Sequence, residues 1–316
     1  MPQFNKRAGD ILVWAALLSA PFWLPLMGSY IELGSRVVIY ALAAMALNFL
    51  LGYTGVLSFG HAAYFGLGAY GTALTIKYIY PSTPVGMAAG IVLGTVAAML
   101  IGPLIARLRG VYFAMCTIAF GQVFYFIAFQ WFSLTGGDDG VSAWRRMPLN
   151  FGFATLDILN NNKAFYYFVV AVFAICAAAM AFILRSPFGR TLLAIRENER
   201  RARFLGIPVD RHIWMSWVVS CFFVSVAGTL FALMNDFVDP RALRWDQSGN
   251  FVIMAVLGGM RSFWGPLIGA AIFLVLQDYI SSETENWMSF IGLFFVLVVL
   301  FFPRGVLGII RRKATS

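Results

Sequence analysis

The chain has 316 residues and a formal net charge of +9; 60% of its residues are hydrophobic and 12% charged, with a mean hydropathy of +0.79. Globular soluble domains carry about 25% charged residues, so this composition excludes one. Stretches such as 91–106 are apolar on every face, which excludes the polar-in, apolar-out alternation of a membrane barrel.

A hydrocarbon core about 30 Å thick takes roughly 20 apolar residues per helical span. Apolar runs fall near 11–28, 36–52, 59–79, 85–106, 111–133, 164–184, 213–234, 249–260, 265–280 and 286–302. The expected fold class is all-α: a single polytopic transmembrane bundle of about 9–10 membrane segments, one of them a half-helix or re-entrant segment. The first run follows Lys6 and Arg7 and has no small-residue cleavage site after it, so it reads as a retained helix. The eighth is too short to span. A turn near Gly258-Gly259-Met260-Arg261, with a short descending half-helix before it and an ascending helix after Pro266, lets both termini lie in the cytoplasm.

On that assignment 16 of the 23 Lys and Arg lie inside, but only 4 of the 14 acids. The positive-inside rule is met at nearly every loop. The basic pI of 9.7 thus follows from topology, and no nucleic-acid partner is needed to explain it. Cys116, Cys176 and Cys221 lie in separate apolar runs without CxxC spacing, and His61 and His212 are too far apart to suggest a metal site.

The segment 51–71 is rich in glycine, and Gly66-Leu-Gly68-Ala-Tyr-Gly71 matches GxGxxG. A dinucleotide site needs a preceding buried strand and an acid about 20 residues on, and neither is present. One reading of Gly60, Gly66, Gly68 and Gly71 is close helix approach, as small residues permit in bilayers. The other adds that Ser58 and His61, at a broken helix start, face a translocation pathway. Asn48 and Gln122 are isolated polar residues inside spans, suited to helix-to-helix hydrogen bonds or to that same pathway. No span carries a charge at its centre, which weighs against a proton relay or voltage sensor. A short echo of 55–60 recurs at 259–265, each time before a Gly- and Ala-rich helix, as in transporters built from two repeats.

The loop 185–212 holds seven arginines up to Arg211. Pro187 suits a helix start and Gly206 followed by Pro208 a stop. Between them Leu192, Ile195 and Leu205 are apolar, while Arg196, Glu197, Glu199, Arg200, Arg201 and Arg203 are charged. One short amphipathic helix is expected, with Glu197/Arg201 and Glu199/Arg203 as i,i+4 pairs. It is suited to an anionic lipid surface or to the grip of another protein.

Four segments together carry a resemblance: Gly-Tyr-Thr-Gly-Val-Leu-Ser-Phe-Gly-His-Ala-Ala-Tyr-Phe-Gly-Leu-Gly-Ala-Tyr at 52–70, Arg-Leu-Arg-Gly-Val-Tyr-Phe-Ala-Met-Cys-Thr-Ile-Ala-Phe at 107–120, Leu-Thr-Gly-Gly-Asp-Asp-Gly at 134–140, and Arg-Ser-Pro-Phe-Gly-Arg-Thr-Leu-Leu-Ala-Ile-Arg-Glu-Asn-Glu at 185–199. The chain resembles the LivM-type permeases of bacterial branched-chain amino-acid ABC importers across about 50–310. The resemblance implies a permease subunit of the bacterial inner membrane, paired with a second related permease, driven by two cytoplasmic ATPases and served by a periplasmic substrate-binding protein. ATP and Mg would be held by those ATPases, because this chain has no GxxxxGK[ST] phosphate loop, and no catalytic residue is expected in it.

The resemblance further implies that 186–206 is the ATPase-coupling segment, through Arg190, Arg196, Glu197, Glu199, Arg200, Ala202 and Gly206. Importer permeases commonly carry Glu-Ala-Ala-x-x-x-Gly there, and this chain matches it only at Ala202 and Gly206. The outer loops supply Asp138, Asp139, Arg145 and Arg244 as candidate contacts for the binding protein. The expected function is import of branched-chain or other hydrophobic amino acids by alternating access. Similar permeases move urea, amides or aromatic acids. A self-sufficient secondary carrier or channel is the alternative, and the missing ion-coupling charge counts against it without excluding sodium coupling; an intramembrane enzyme would need a catalytic cluster that His61 alone does not supply.

Overall fold

The computed structural model describes residues 4–24, 30–142, 149–150, 155–156, 161–260, 262–284, 286–301 and 305. The ten apolar runs become ten helices: α1 (Phe4–Trp23), α2 (Ile31–Asn48), α3 (His61–Leu74), α4 (Thr83–Ile105), α5 (Val111–Gln130), then after a four-residue turn α6 (Phe132–Thr135), α7 (Asn162–Arg185), and, beyond a cytoplasmic-type loop, α10 (Val209–Asn235), α11 (Trp245–Gly258), α12 (Gly265–Glu283) and α13 (Trp287–Phe301). The loop between α7 and α10 forms two short helices, α8 (Pro187–Glu197) and α9 (Glu199–Phe204). A two-residue antiparallel pair, Leu149–Asn150 with Thr155–Leu156, is the one strand pairing among the described residues.

Six helices among the described residues are long and apolar enough to cross a membrane. The chain is an all-α, multi-pass membrane protein. The short α11 ends at Gly258 and α12 begins at Gly265, as the half-helix reading requires; Arg261 in that turn lies outside the described residues.

Burial separates the helices into a core and a periphery. The apolar stretch of α2 is 83% buried and that of α10 72%, against 28% for α4 and for α5. Lipid is as apolar as leucine, so helices sort by how closely their backbones approach. α2 carries Ala41, Ala43, Ala44 and Ala46 on its buried surface, and α10 carries Ser216, Ser220, Ser225, Gly228 and Thr229. α4 seats on α3 and α10 through a stripe at every fourth residue: Gly86, Gly90, Gly94, Ala98 and Gly102 are all buried. A Cβ on Gly71 of α3 would stand 2.7 Å from the Cα of Gly90, and one on Gly228 of α10 would collide with the Phe65 carbonyl.

Two helices are broken inside the bundle. α2 continues as a π-helical turn over Phe49–Thr54, ended by Gly55 at φ +81°, and α3 starts only at His61. α3 ends in a second π turn, Thr75–Ile79. Such breaks are tolerated at membrane depth only where other groups satisfy the freed backbone. Here hydroxyls do so. Phe59 N–H donates to Thr117 Oγ1 at 3.3 Å, Gly60 N–H to Ser58 Oγ at 3.2 Å, and Ala62 N–H to Ser248 Oγ at 2.7 Å.

Between the connections that follow α5 and α10, the Val141 and Val238 backbones exchange two hydrogen bonds of 2.8 and 3.0 Å. This strap joins the 134–142 connection to the 236–244 connection, two stretches the sequence treats separately.

Candidate functional site

The expected single amphipathic helix over 187–206 is two helices. Ser186 caps α8 and Pro187 occupies its first turn. Asn198 leaves helical geometry at φ −158°, ψ 99°, and its Oδ1 accepts the Arg201 N–H at 2.9 Å to start α9. Asn is a preferred N-cap because its short side chain reaches those otherwise unpaired donors. The break separates Glu197 from Arg201, so the i,i+4 pair expected there is not made along a continuous helix. The Glu199–Arg203 pair does form, at 3.0 Å.

The inner face of this helical hairpin is Gly189, Leu192, Ile195 and Ala202, all buried. Leu205, expected on the same apolar side, points outward instead. Phe204 and Leu205 are 91% and 74% exposed at the C-terminal end of α9. Gly206 follows at φ +80° with open space around it, so it is glycine for its left-handed backbone and not for close packing within this chain. Arg190, Glu197 and Arg200 are exposed on the same surface.

An ion cluster ties the hairpin down. Glu199 pairs with Arg109 at 2.8 Å, Arg203 with Asp210 at 2.8 Å, and Arg109 also donates to Asp210. Glu199 chiefly, with Asp210, raises the Arg203 pKa above its ordinary value by hydrogen bonding to its charged form. The cluster connects the α4–α5 connection, α9 and the first turn of α10. Sequence reasoning missed Arg109 and Asp210 because they lie 90 and 11 positions from Glu199 and only the fold assembles them.

Arg196 turns the opposite way. It is half-buried and its guanidinium donates to the Gly52 carbonyl inside the π turn; a Cβ on Gly55 would stand 2.9 Å from its Cγ. On the other side of that turn, Asn48 Nδ2 donates to the Ser262 carbonyl at 3.3 Å, and a side chain on Gly52 would strike the Met260 carbonyl. Gly52 therefore lies between α8 and the turn that joins α11 to α12.

Ser58 and His61 come together at the start of α3, both buried, with Ser58 Oγ 2.9 Å from His61 Nδ1. His61 Nε2 lies 2.7 Å from Ser220 Oγ, which donates to the Ala46 carbonyl. This chain of hydroxyl, imidazole and hydroxyl joins α3, α10 and α2. Gly60 lets the Thr117 backbone approach. Gln122 is half-buried one residue beyond Gly121, which itself faces Gly60. Ser220, missed in the sequence, was detectable only as part of the hydroxyl stripe on α10.

Asp138 and Asp139 are exposed in a 3-10 turn next to the Val141–Val238 strap. Arg244 pairs with Asp246 at 3.0 Å, and Arg145 lies outside the described residues. Among the described residues no group of His, Cys, Asp and Glu is placed to hold a metal ion.

A polytopic bundle with a broken central helix, an exposed arginine-rich hairpin at one end and a loop strap at the other is the architecture of a membrane permease. Residues 29–299 match the family described as the permease component of branched-chain amino acid transport systems, and the chain belongs to that family. It is 28% identical to the LivM high-affinity branched-chain amino acid transport permease of Salmonella typhimurium, over 95% of this chain and 75% of the relative. It is 29% identical to the LivH permease of Escherichia coli, over 91% of this chain and 96% of that one. A probable LivH permease of Methanocaldococcus jannaschii is 26% identical over 89% and 95%. No solved structure matches the chain.

Proposed function

We propose that this chain is the translocation subunit of an ATP-driven importer of branched-chain or other hydrophobic amino acids, working by alternating access in the bacterial inner membrane with both termini cytoplasmic. Its similarity to both LivM and LivH supports a second, related permease as partner. Two cytoplasmic ATPases holding ATP and Mg and a periplasmic binding protein complete the assembly.

The observation that carries this reading is the α8–α9 hairpin. The end of α9 is apolar and solvent-facing at Phe204 and Leu205, while α8 is fastened by Arg196 to the π turn of α2. A partner that grips the end of α9 pulls on α8. Arg190, Glu197, Arg200, Ala202 and Gly206 surround or shape the gripped surface, and Glu199 holds it to α10 through the ion cluster. The displacement then bears on Gly52, Asn48 and the α11–α12 turn, and from there on the broken start of α3 with Ser58, Gly60 and His61. In the state described these residues are sealed, and opening of the pathway exposes them, with Gln122 on the neighbouring α5. Asp138, Asp139, Arg145 and Arg244 are the contacts assigned to the binding protein.

The test is purification from native membrane in mild detergent, followed by reconstitution. Co-purification of ATPases and a second permease, with ATP-dependent uptake of L-leucine, is the expected result. Recovery of the chain alone, with transport in vesicles lacking ATP, would overturn the reading in favour of a secondary carrier.

A further inference from the structure

We propose that the pocket between the outer-end turns of α2 and α10 binds the head group of a zwitterionic amino acid. The pocket measures about 320 Å³ and is lined by Glu32, Arg36 and Tyr40 of α2 and by Phe231 and Met234 of α10, among others. That volume lies at the small end of ligand sites, which suits a single amino acid.

Glu32 and Arg36 are one helical turn apart, the order and spacing at which such side chains pair on a helix. They do not pair with each other here. Glu32 accepts from Asn162 Nδ2 at 2.7 Å, and the Arg36 guanidinium lies over the Tyr40 ring, 5.7 Å from its centroid. Opposite charges thus stand apart on the wall of one pocket. The Tyr40 ring also lines the pocket and packs against Phe65, Phe231 and Phe251 at centroid distances of 6.0, 6.1 and 5.9 Å. A carboxylate facing Arg36 and an ammonium facing Glu32 would direct an apolar side chain onto Phe231, Met234 and Tyr40. A solute with one charge satisfies only half of this arrangement.

Position agrees with chemistry. α10 has 27 residues, which at 1.5 Å per residue is about 40 Å. The pocket uses its last turns, whereas the coupling hairpin sits beside its first. The pocket therefore lies at the end remote from the hairpin, next to the Val141–Val238 strap. This inference rests on the importer reading for its direction of travel, but its test does not depend on ATP.

The assembled complex, reconstituted without nucleotide, is labelled at Asn235→Cys with a membrane-impermeant thiol reagent in a Cys116→Ser background. L-leucine at about 10 mM is expected to slow labelling about fivefold or more, while 4-methylpentanoate and 3-methylbutylamine do not. Arg36→Gln and Glu32→Gln each abolish that protection. Tyr30→Cys is the second reporter if Asn235→Cys fails to assemble. No protection by L-leucine, equal protection by all three solutes, or protection that survives both charge removals overturns the proposal. Failure of ATP-driven uptake with protection intact would instead count against the importer reading alone.

Discussion

The Arg196 guanidinium and the Gly52 carbonyl meet across 144 positions of sequence, joining a surface helix to the π turn that continues α2, the most buried of the six long apolar helices among the described residues. Gly52 lies in the last turn before the helix ends at Gly55, and the last carbonyls of a helix lack partners along the chain. A charged donor from outside the helix satisfies one of them and makes the surface helix a handle on the core. Hydrogen bonds to charged groups contribute about 1.5–3 kcal/mol. Arg196→Ala should therefore lower L-leucine uptake by the reconstituted complex about tenfold or more while ATP hydrolysis continues, with Arg196→Lys intermediate. Parallel measurement of uptake and hydrolysis decides it; loss of both in proportion would point to failed assembly.

The hairpin's shape depends on Asn198. Removing an N-cap costs about 0.5–2 kcal/mol, enough to melt a helix of a single turn or two. Asn198→Ala should speed tryptic cleavage at Arg200, Arg201 and Arg203 severalfold, and Asn198→Asp should restore protection. Timed digestion of the chain in detergent measures both.

The exposed end of α9 makes a different prediction. Phe204→Glu together with Leu205→Glu touches no packed contact within the chain, so the thermal transition of the isolated chain should stay within a few degrees. Co-purification of the ATPases should fall about tenfold or more, since a buried charge in an apolar cleft is costly. Unchanged association would sink the coupling role of the hairpin.

Ser58→Cys tests the pathway. The residue is 1% exposed in the state described. A small hydrophilic thiol reagent should leave the cysteine unmodified at rest and modify it during ATP turnover. Equal protection in every state would assign Ser58 and His61 to helix packing alone.

Stability should be most sensitive where helices meet backbone to backbone. Gly228→Ala places a methyl against the Phe65 carbonyl, and neither helix can yield without breaking its own hydrogen bonds. Overpacking costs typically about 1–3 kcal/mol. The variant should show a lowered midpoint of thermal unfolding in detergent, whereas Gly249→Ala, with open space around it, should not.

The placement of the apolar helices, the short α11, the turn near 258–260 and the charged loop between α7 and α10 were legible in the sequence, because apolar run length and Gly/Pro punctuation act locally; the count of about 9–10 membrane segments was not, since six helices among the described residues are long and apolar enough to span. The stripe from Gly86 to Gly102 was equally legible, as a repeat at every fourth residue. Asn198 was too: Asn-Glu before a charged run is a helix-start signal, and overlooking it merged α8 with α9. Leu205 shows where local pattern fails, since helical periodicity places it with Leu192 and Ile195 only if the helix is unbroken.

By itself the sequence determined that this is a polytopic helical membrane protein and how its segments are delimited, because transfer into lipid is decided residue by residue along each span. Tertiary structure alone decided that Arg196 reaches Gly52, that Arg109, Glu199, Arg203 and Asp210 share one cluster, that His61 lies between Ser58 and Ser220, and that Glu32 and Arg36 line one pocket with Asn162 and Tyr40 as their partners. Those relationships depend on which helix faces rotate toward each other. In a bilayer that choice follows from close backbone packing and the satisfaction of buried polar groups, which no single segment contains.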